Sequence, residues 1–176
     1  MNIDSNETVI AFGAITVDSP YKGWAYLQKA LALLMQTSPA ANISVLIFGS
    51  GYRKEIADAI PFNVRFMGYL KDEYSTALVY NAADVFIAPS LAEAFGYVVM
   101  EALSCGTPVV GFDVGGIPDM VKHKENGYLA RYKDAEDLAE GVRYCINNGV
   151  KGYLPPEIEP ERTVRKHLEL IEQVSK

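Results

Sequence analysis

Cysteine, histidine and tryptophan are scarce in this sequence: two, two and one among 176 residues. Cys105 and Cys145 form no CxxC pair and have no histidine beside them to complete a zinc set. A disulfide framework and a structural metal are therefore disfavoured, and both thiols are expected to stay reduced in a cytosolic setting. Long apolar runs are also missing; none approaches the roughly 20 residues that cross a bilayer. The segment Met1 to Thr8 is polar, with no basic stretch leading into an apolar one, so it reads as a flexible tail rather than a secretory signal. Basic residues are outnumbered, 16 Lys and Arg against 22 Asp and Glu, giving a formal charge of −6. Without a cluster of Lys and Arg there is no broad nucleic-acid face, and the 11 tyrosines are not interleaved with basic residues as a base-stacking surface would need. His123 and His167 read as solvated side chains.

What remains is the composition of a globular domain, 49% hydrophobic and 22% charged, large enough for one core. Short β-type apolar runs alternate with longer helical patterns, which predicts an α/β fold: a Rossmann-like open parallel sheet of about six strands with helices on both faces. The strands are expected at Val9 to Ile15, Ile43 to Phe48, Asn63 to Met67, Asp84 to Ala88, Pro108 to Phe112 and, at an edge, Tyr128 to Ala130. Helices are expected over Lys22 to Gln36, Asp72 to Asn81, Gly96 to Cys105 and Ala135 to Asn147, with Leu27, Ala30, Leu31 and Leu34 at helical spacing in the first. The domain spans residues 9–150. Pro155, Pro156 and Pro160 then make residues 151–161 an extended connector, because proline fixes φ and removes donors, and a last helix occupies residues 162–176.

A doubly wound sheet binds ligands at the carboxyl ends of its strands, where loops and helix N-termini present backbone N–H groups to anions. Four loops qualify: Gly13 to Gly23, Gly49 to Gly51, Ser90 to Gly96, and Asp113 to Gly116. The third is the most specific. It places Glu93 at the mouth of the site, and Glu101 follows in a helix otherwise built from Val98, Val99, Met100, Ala102 and Leu103. A carboxylate on so apolar a helix near its N-terminus needs donors, which sugar hydroxyls would supply. A solvated or dipole-stabilised carboxylate is the plainer alternative for either residue taken alone.

Taken together the run 81–90 (Asn-Ala-Ala-Asp-Val-Phe-Ile-Ala-Pro-Ser), the run Glu93-Ala94-Phe95-Gly96, the run 100–110 beginning Met100-Glu101-Ala102-Leu103, and Gly115-Gly116-Ile117-Pro118-Asp119 resemble, in order and spacing, the C-terminal donor-binding domain of GT-B glycosyltransferases. The group is the one that includes many retaining bacterial surface-polysaccharide enzymes, and the resemblance covers roughly residues 9–148. It implies a glycosyltransferase half that binds a UDP- or GDP-sugar without a cofactor and, as the lack of an Asp-x-Asp at a strand end agrees, without a metal. Glu93 is similar to the glutamate that touches the transferred sugar, and Glu101 to the one that holds the ribose hydroxyls. Lys22 is similar to the lysine that neutralises the diphosphate, so Glu93 and Lys22 carry the implied catalytic roles. The amides of Ala94, Phe95 and Gly96, with Ser90, Gly13, Gly49 and Gly51, would border the donor. Leu70, within Met67-Gly68-Tyr69-Leu70, would border the nucleobase or simply end a core strand, Gly115-Gly116 would border the sugar or simply form a turn, and Gly49 and Gly51 could equally serve as ordinary strand-to-helix turn glycines.

The pattern departs from the group at one place. Ala14 follows the first-strand glycine where the group usually has an arginine, and the loop from Ile15 to Tyr21 is longer than usual. Arg53 could replace the charge, or stand as an ordinary solvated arginine. The implied partners are the nucleotide sugar and an N-terminal acceptor-binding domain on which the last helix would pack, with peripheral membrane contact in the intact enzyme. Two other readings stay open: a non-catalytic nucleotide-sugar-binding module, for which Ala14 would be the mark, and a nucleotide-sugar epimerase of related architecture.

Overall fold

The computed structural model describes residues 3–17, 19–37, 42–51, 54–158 and 160–175. Six parallel strands form one sheet: β1 (Thr8–Thr16), β2 (Ile43–Ser50), β3 (Asn63–Gly68), β4 (Val85–Ala88), β5 (Val109–Phe112) and β6 (Gly127–Ala130). Their order is β3-β2-β1-β4-β5-β6, with Ile10 opposite Val45 on one side and Val85 on the other. Both faces are covered, so the strands read as continuous apolar runs rather than as alternations. Ile10, Phe12, Val45, Ile47, Val85 and Ile87 point to one layer, and Val9, Ala11, Leu46, Phe48, Phe86 and Ala88 to the other.

The first layer is closed by α1 (Trp24–Thr37), through Leu27, Ala30, Leu31 and Leu34, and by α6 (Ala135–Asn147), through Leu138, Ala139, Val142 and Cys145. Asp134 caps α6 by accepting from the amides of Glu136 and Asp137, which would otherwise lack partners. The second layer holds α3 (Glu73–Asn81), capped by Asp72 onto the Ser75 amide, together with α4 (Tyr97–Ser104) and the short α5 (Ile117–Met120). The remaining helices are the five-residue α2 (Lys54–Asp58) and α7 (Pro160–Val174).

The expected fold is the observed one, with local differences. Lys22 does not open α1. It ends a single 3₁₀ turn, Pro20–Lys22, and Gly23 at φ 67° separates that turn from the helix. Of the N-terminal segment expected as a tail, Thr8 begins β1, Ile3 packs against the core, and both carboxylate oxygens of Glu7 accept from Arg65 at 2.9 Å. The connector is not uniformly extended. Gly152 donates to the Gly106 carbonyl, Asn126 donates to the Tyr153 carbonyl, and Pro156–Ile158 form a 3₁₀ turn. Helix α7 begins at Pro160, a favoured first-turn position for proline, and its described side chains are exposed throughout. Among the described residues no helix is long and apolar enough to cross a membrane.

Candidate functional site

With this strand order, the chain leaves β1 toward one edge of the sheet and β4 toward the other. The loops that follow these two strands part, and a crevice opens between them. A cleft of about 500 Å³ lies there. Its walls are Ala14, Ile15 and Thr16 at the end of β1, Ser19 and Lys22 of the following turn, and Phe48 and Gly49 of β2. Tyr69 and Leu70 after β3, Thr76 of α3, Glu93 of the β4–α4 loop, and Tyr97, Val98 and Glu101 of α4 complete it.

Lys22 is held by backbone fit. A Cβ on Gly23 would lie 1.8 Å from the Pro89 carbonyl oxygen, so only glycine lets the turn sit on the β4–α4 loop. The Tyr21 carbonyl accepts from the Leu91 amide at 2.7 Å, joining the two loops directly. Lys22 Nζ then donates to Glu93 Oε2 at 2.8 Å, in a pair whose side chains are 27% and 15% exposed. Ser90 Oγ, on a buried residue, stands 3.4 Å from the same carboxylate oxygen.

The loop bearing Glu93 rests on a pair of glycines. A Cβ on Gly115 would lie 1.6 Å from the Glu93 carbonyl oxygen, and one on Gly116 2.5 Å from that of Phe95. Gly96, at φ 95°, is the N-cap of α4 and offers no side chain to the first-turn amides. The Val99 amide already donates to the Gly96 carbonyl at 2.9 Å, but among the described residues no group accepts from the amides of Ala94 through Val98. The Lys22 ammonium and the start of α4 thus line one cleft and are suited to an anion, which would have to contend with the Glu93 carboxylate paired to that ammonium.

Glu101 lines the same cleft from α4, one turn beyond Tyr97. It is the fifth of eight helical residues, in the second turn of α4 rather than near its N-terminus. The donor it needs comes from inside the protein: Tyr80 OH donates to Glu101 Oε2 at 2.9 Å. Burial, and then the charge of Glu101, push the Tyr80 phenol far above its ordinary range, and the same two causes raise the Cys105 thiol. A second cavity of about 450 Å³ lies between α3 and α4 and shares Leu70, Thr76 and Glu101 with the first.

Lys22, Gly49, Leu70, Glu93 and Glu101 were all expected at a ligand site, and they share the cleft. Gly13, Gly51, Ser90, Ala94, Phe95 and Gly96 are not on its lining. Gly13 instead lies under Phe48, whose ring a Cβ would approach to 2.0 Å, and Gly51 continues from β2 at φ 82°. Arg53 lies outside the described residues. His123 and His167 are exposed as expected, although each ring bonds the backbone, at the Leu129 amide and the Thr163 carbonyl. Sequence reasoning missed Tyr80, Thr16, Ser19, Thr76 and Tyr97. The last follows directly on Glu93-Ala94-Phe95-Gly96, so its place at the helix start was the available signal.

The chain is similar to many glycosyltransferases. It is 30% identical over 164 residues to an uncharacterized glycosyltransferase of Methanocaldococcus jannaschii, covering 84% of this chain and 40% of that protein. It is 33% identical over 159 residues to the D-inositol 3-phosphate glycosyltransferase of Rhodococcus opacus, covering 84% of this chain and 35% of that protein. Among solved structures it superposes on Anabaena Alr3699/HepE in complex with UDP and glucose, with a TM-score of 0.68, 27% identity, and coverage of 82% of this chain and 40% of that one. A glycosyltransferase from Rickettsia africae shares the fold over 98% of this chain and 49% of its own length, with a TM-score of 0.74 and 20% identity. This chain therefore spans 40% or less of the curated relatives it matches here. The family described as glycosyl transferases group 1 matches residues 6–172, nearly the whole length, over the strands, glycine loops and acidic pair that build the cleft. The chain belongs to that family.

Proposed function

We propose that the cleft binds a nucleoside diphosphate sugar, linked to UDP or GDP, as the donor half of a hexosyltransferase. The observation that carries this reading is that Lys22, Glu93 and Glu101 line a single cleft at the carboxyl ends of the strands. The diphosphate takes the end formed by Lys22 and the unpaired amides at the start of α4, and the ribose takes the Glu101 end. The sugar lies beside Glu93. When an acceptor hydroxyl attacks the sugar C1, the bond from C1 to the phosphate oxygen breaks, its electron pair stays on the diphosphate, and the hydroxyl proton passes to the departing diphosphate oxygen. Lys22 and the helix N-terminus stabilise that growing negative charge, without recourse to a metal ion, and Glu93 faces the positive charge growing on the sugar. Transfer proceeds with retention, in polysaccharide or glycoconjugate synthesis. The complex in which UDP and glucose are bound to a relative of this fold supports the donor class.

The acceptor is held by a second, N-terminal half that residues 1–176 do not supply, and α7 docks on that half. The intact enzyme works in the cytoplasm at the inner face of the membrane, in keeping with two unpaired thiols. Titration calorimetry with UDP, GDP and ADP, on this chain and on Glu101→Ala, tests the reading. Saturable binding that the variant loses supports it, and absence of binding to every nucleotide overturns it. One observation favours a second reading, a non-catalytic nucleotide-sugar-binding module: Ala14 lies on the cleft wall and brings no second cation toward the diphosphate. Transfer of a hexosyl group after the chain is joined to an acceptor-binding half excludes that reading.

A further inference from the structure

We infer that Tyr80 is a positioning residue, whose hydroxyl holds the Glu101 carboxylate in the orientation that receives the ribose. The inference rests on the donor-site reading above. Tyr80 is fully buried, and its ring meets Phe48 at 5.5 Å and Phe86 at 5.3 Å, edge-to-face in both cases. Thr107 Oγ1 donates to the Tyr80 carbonyl at 2.7 Å, which fixes the backbone as well. The phenol points toward α4, where it reaches Glu101 Oε2 at 2.9 Å. Among the described residues, Glu101 has no other side-chain hydrogen bond and no ion pair, so Tyr80 is the one polar restraint on its carboxylate and Oε1 is left for a ligand.

The brace extends across the sheet. The space left by the missing side chain of Gly13 admits the Phe48 ring, Phe48 supports Tyr80, and Tyr80 supports Glu101. This accounts for a glycine at position 13 that does not touch the cleft. Burial and the adjacent carboxylate raise the phenol's pKa and so favour its protonated form, the form that donates to Glu101. A carboxylate with one oxygen pinned by a charge-assisted bond pays little ordering entropy when the other meets two vicinal hydroxyls.

The test compares UDP with 2′,3′-dideoxy-UDP, and GDP with its dideoxy form, on the wild-type chain, Tyr80→Phe, Glu101→Ala and the double variant. The wild type is expected to favour the ribo form by about tenfold or more, the scale of a hydrogen bond to a charged group. Tyr80→Phe keeps the ring and is expected to lose most of that preference. In the Glu101→Ala background, Tyr80→Phe is expected to change nothing further. A purely structural tyrosine would lower the thermal midpoint and weaken both nucleotides equally, leaving the preference intact; that result overturns the inference while the donor-site reading stands. If the wild type binds both forms equally, or binds neither, the reading of Glu101 fails first and Tyr80 with it.

Discussion

Lys22 Nζ and Glu93 Oε2 stand 2.8 Å apart, so the cation and the acid of the cleft satisfy each other. An incoming diphosphate competes with Glu93 for the ammonium, which has two further donors to offer. The two partners therefore respond with opposite signs. Lys22→Ala leaves an unpaired carboxylate facing the phosphates and is expected to weaken nucleoside diphosphate binding by about 10- to 100-fold. Glu93→Gln releases Lys22 and removes a repelling charge, so the free diphosphate should bind a few-fold more tightly even as transfer in the intact enzyme falls. Calorimetric titration at two salt concentrations reads both effects. Equal weakening in the two variants would show that the pair does not compete with the ligand.

Gly115 carries a prediction about the seat of Glu93. Ala at this position would place a methyl 1.6 Å from the Glu93 carbonyl oxygen, at a backbone φ of 55°. Gly149 is the control, since its φ is 57° and nothing lies within 4 Å of a Cβ there. Both substitutions carry the left-handed backbone cost of about 1–2 kcal/mol. Only Gly115→Ala must also displace the acidic loop from Lys22, so it alone should reduce diphosphate binding, by about tenfold or more on the scale of a lost charge-assisted contact. Matched thermal denaturation and titration of the two variants separate the common strain from the specific clash.

The sequence made the sheet legible because the strands are buried on both sides and therefore carry unbroken apolar runs. The acidic pair is legible through its context and its resemblance to the family motif rather than through spacing: β4, its loop and α4 are consecutive, so the motif's residues stay in order from the loop into the helix. What could not be read was pairing across elements. Tyr80 looks like any apolar residue of α3, and its bond to Glu101 exists only because α3 and α4 pack side by side. The strong periodicity of Trp24 to Gln36 extends the helical reading back to Lys22, whereas Pro20 opens a separate turn and Gly23, which ends it, is required by the closeness of the Pro89 carbonyl. Gly13 was assigned to the donor by its position after β1, and only the packing shows that it accommodates Phe48. Thr16 and Ser19 lie three residues apart within the loop from Gly13 to Gly23, whereas Thr76 of α3 reaches the same cleft only through the fold.

Asp137 sets a pH dependence of stability away from the cleft. Its burial pushes the carboxyl upward, but hydrogen bonds from the Arg131 amide, the Tyr128 hydroxyl and the Arg131 guanidinium outweigh this and hold it below the usual aspartate range. A depressed folded pKa stabilises the native state above the unfolded value and loses that contribution as pH falls through the folded one. Asp137→Asn should therefore cost about 1–2 kcal/mol near neutral pH, where the charged acceptor is lost. The difference from wild type should narrow steadily below about pH 4, the ordinary aspartate range. Urea denaturation of both proteins between pH 7 and pH 2.5 measures it, and a difference independent of pH would assign the effect to packing.

Helix α7 makes the last prediction, and it turns on what the helix does not contribute. Val164, Leu168, Ile171 and Val174 recur at helical spacing, and each is more than half exposed. By contrast Leu138 of α6 is fully buried, so removing its side chain opens a cavity and should cost about 2–5 kcal/mol. Ending the chain after Ile158 removes a helix whose apolar stripe covers nothing in this domain, and the loss should stay within about 1 kcal/mol, as for other changes to exposed surface. Urea unfolding of the truncated chain and of Leu138→Ala, each against wild type, sets the two side by side. If α7 serves a second half, truncation should also leave UDP and GDP binding by this chain unchanged, while an acceptor-binding half added in trans should associate with the full chain and not with the shortened one. A truncation that lowered stability as much as Leu138→Ala would instead place the helix on this domain's own core.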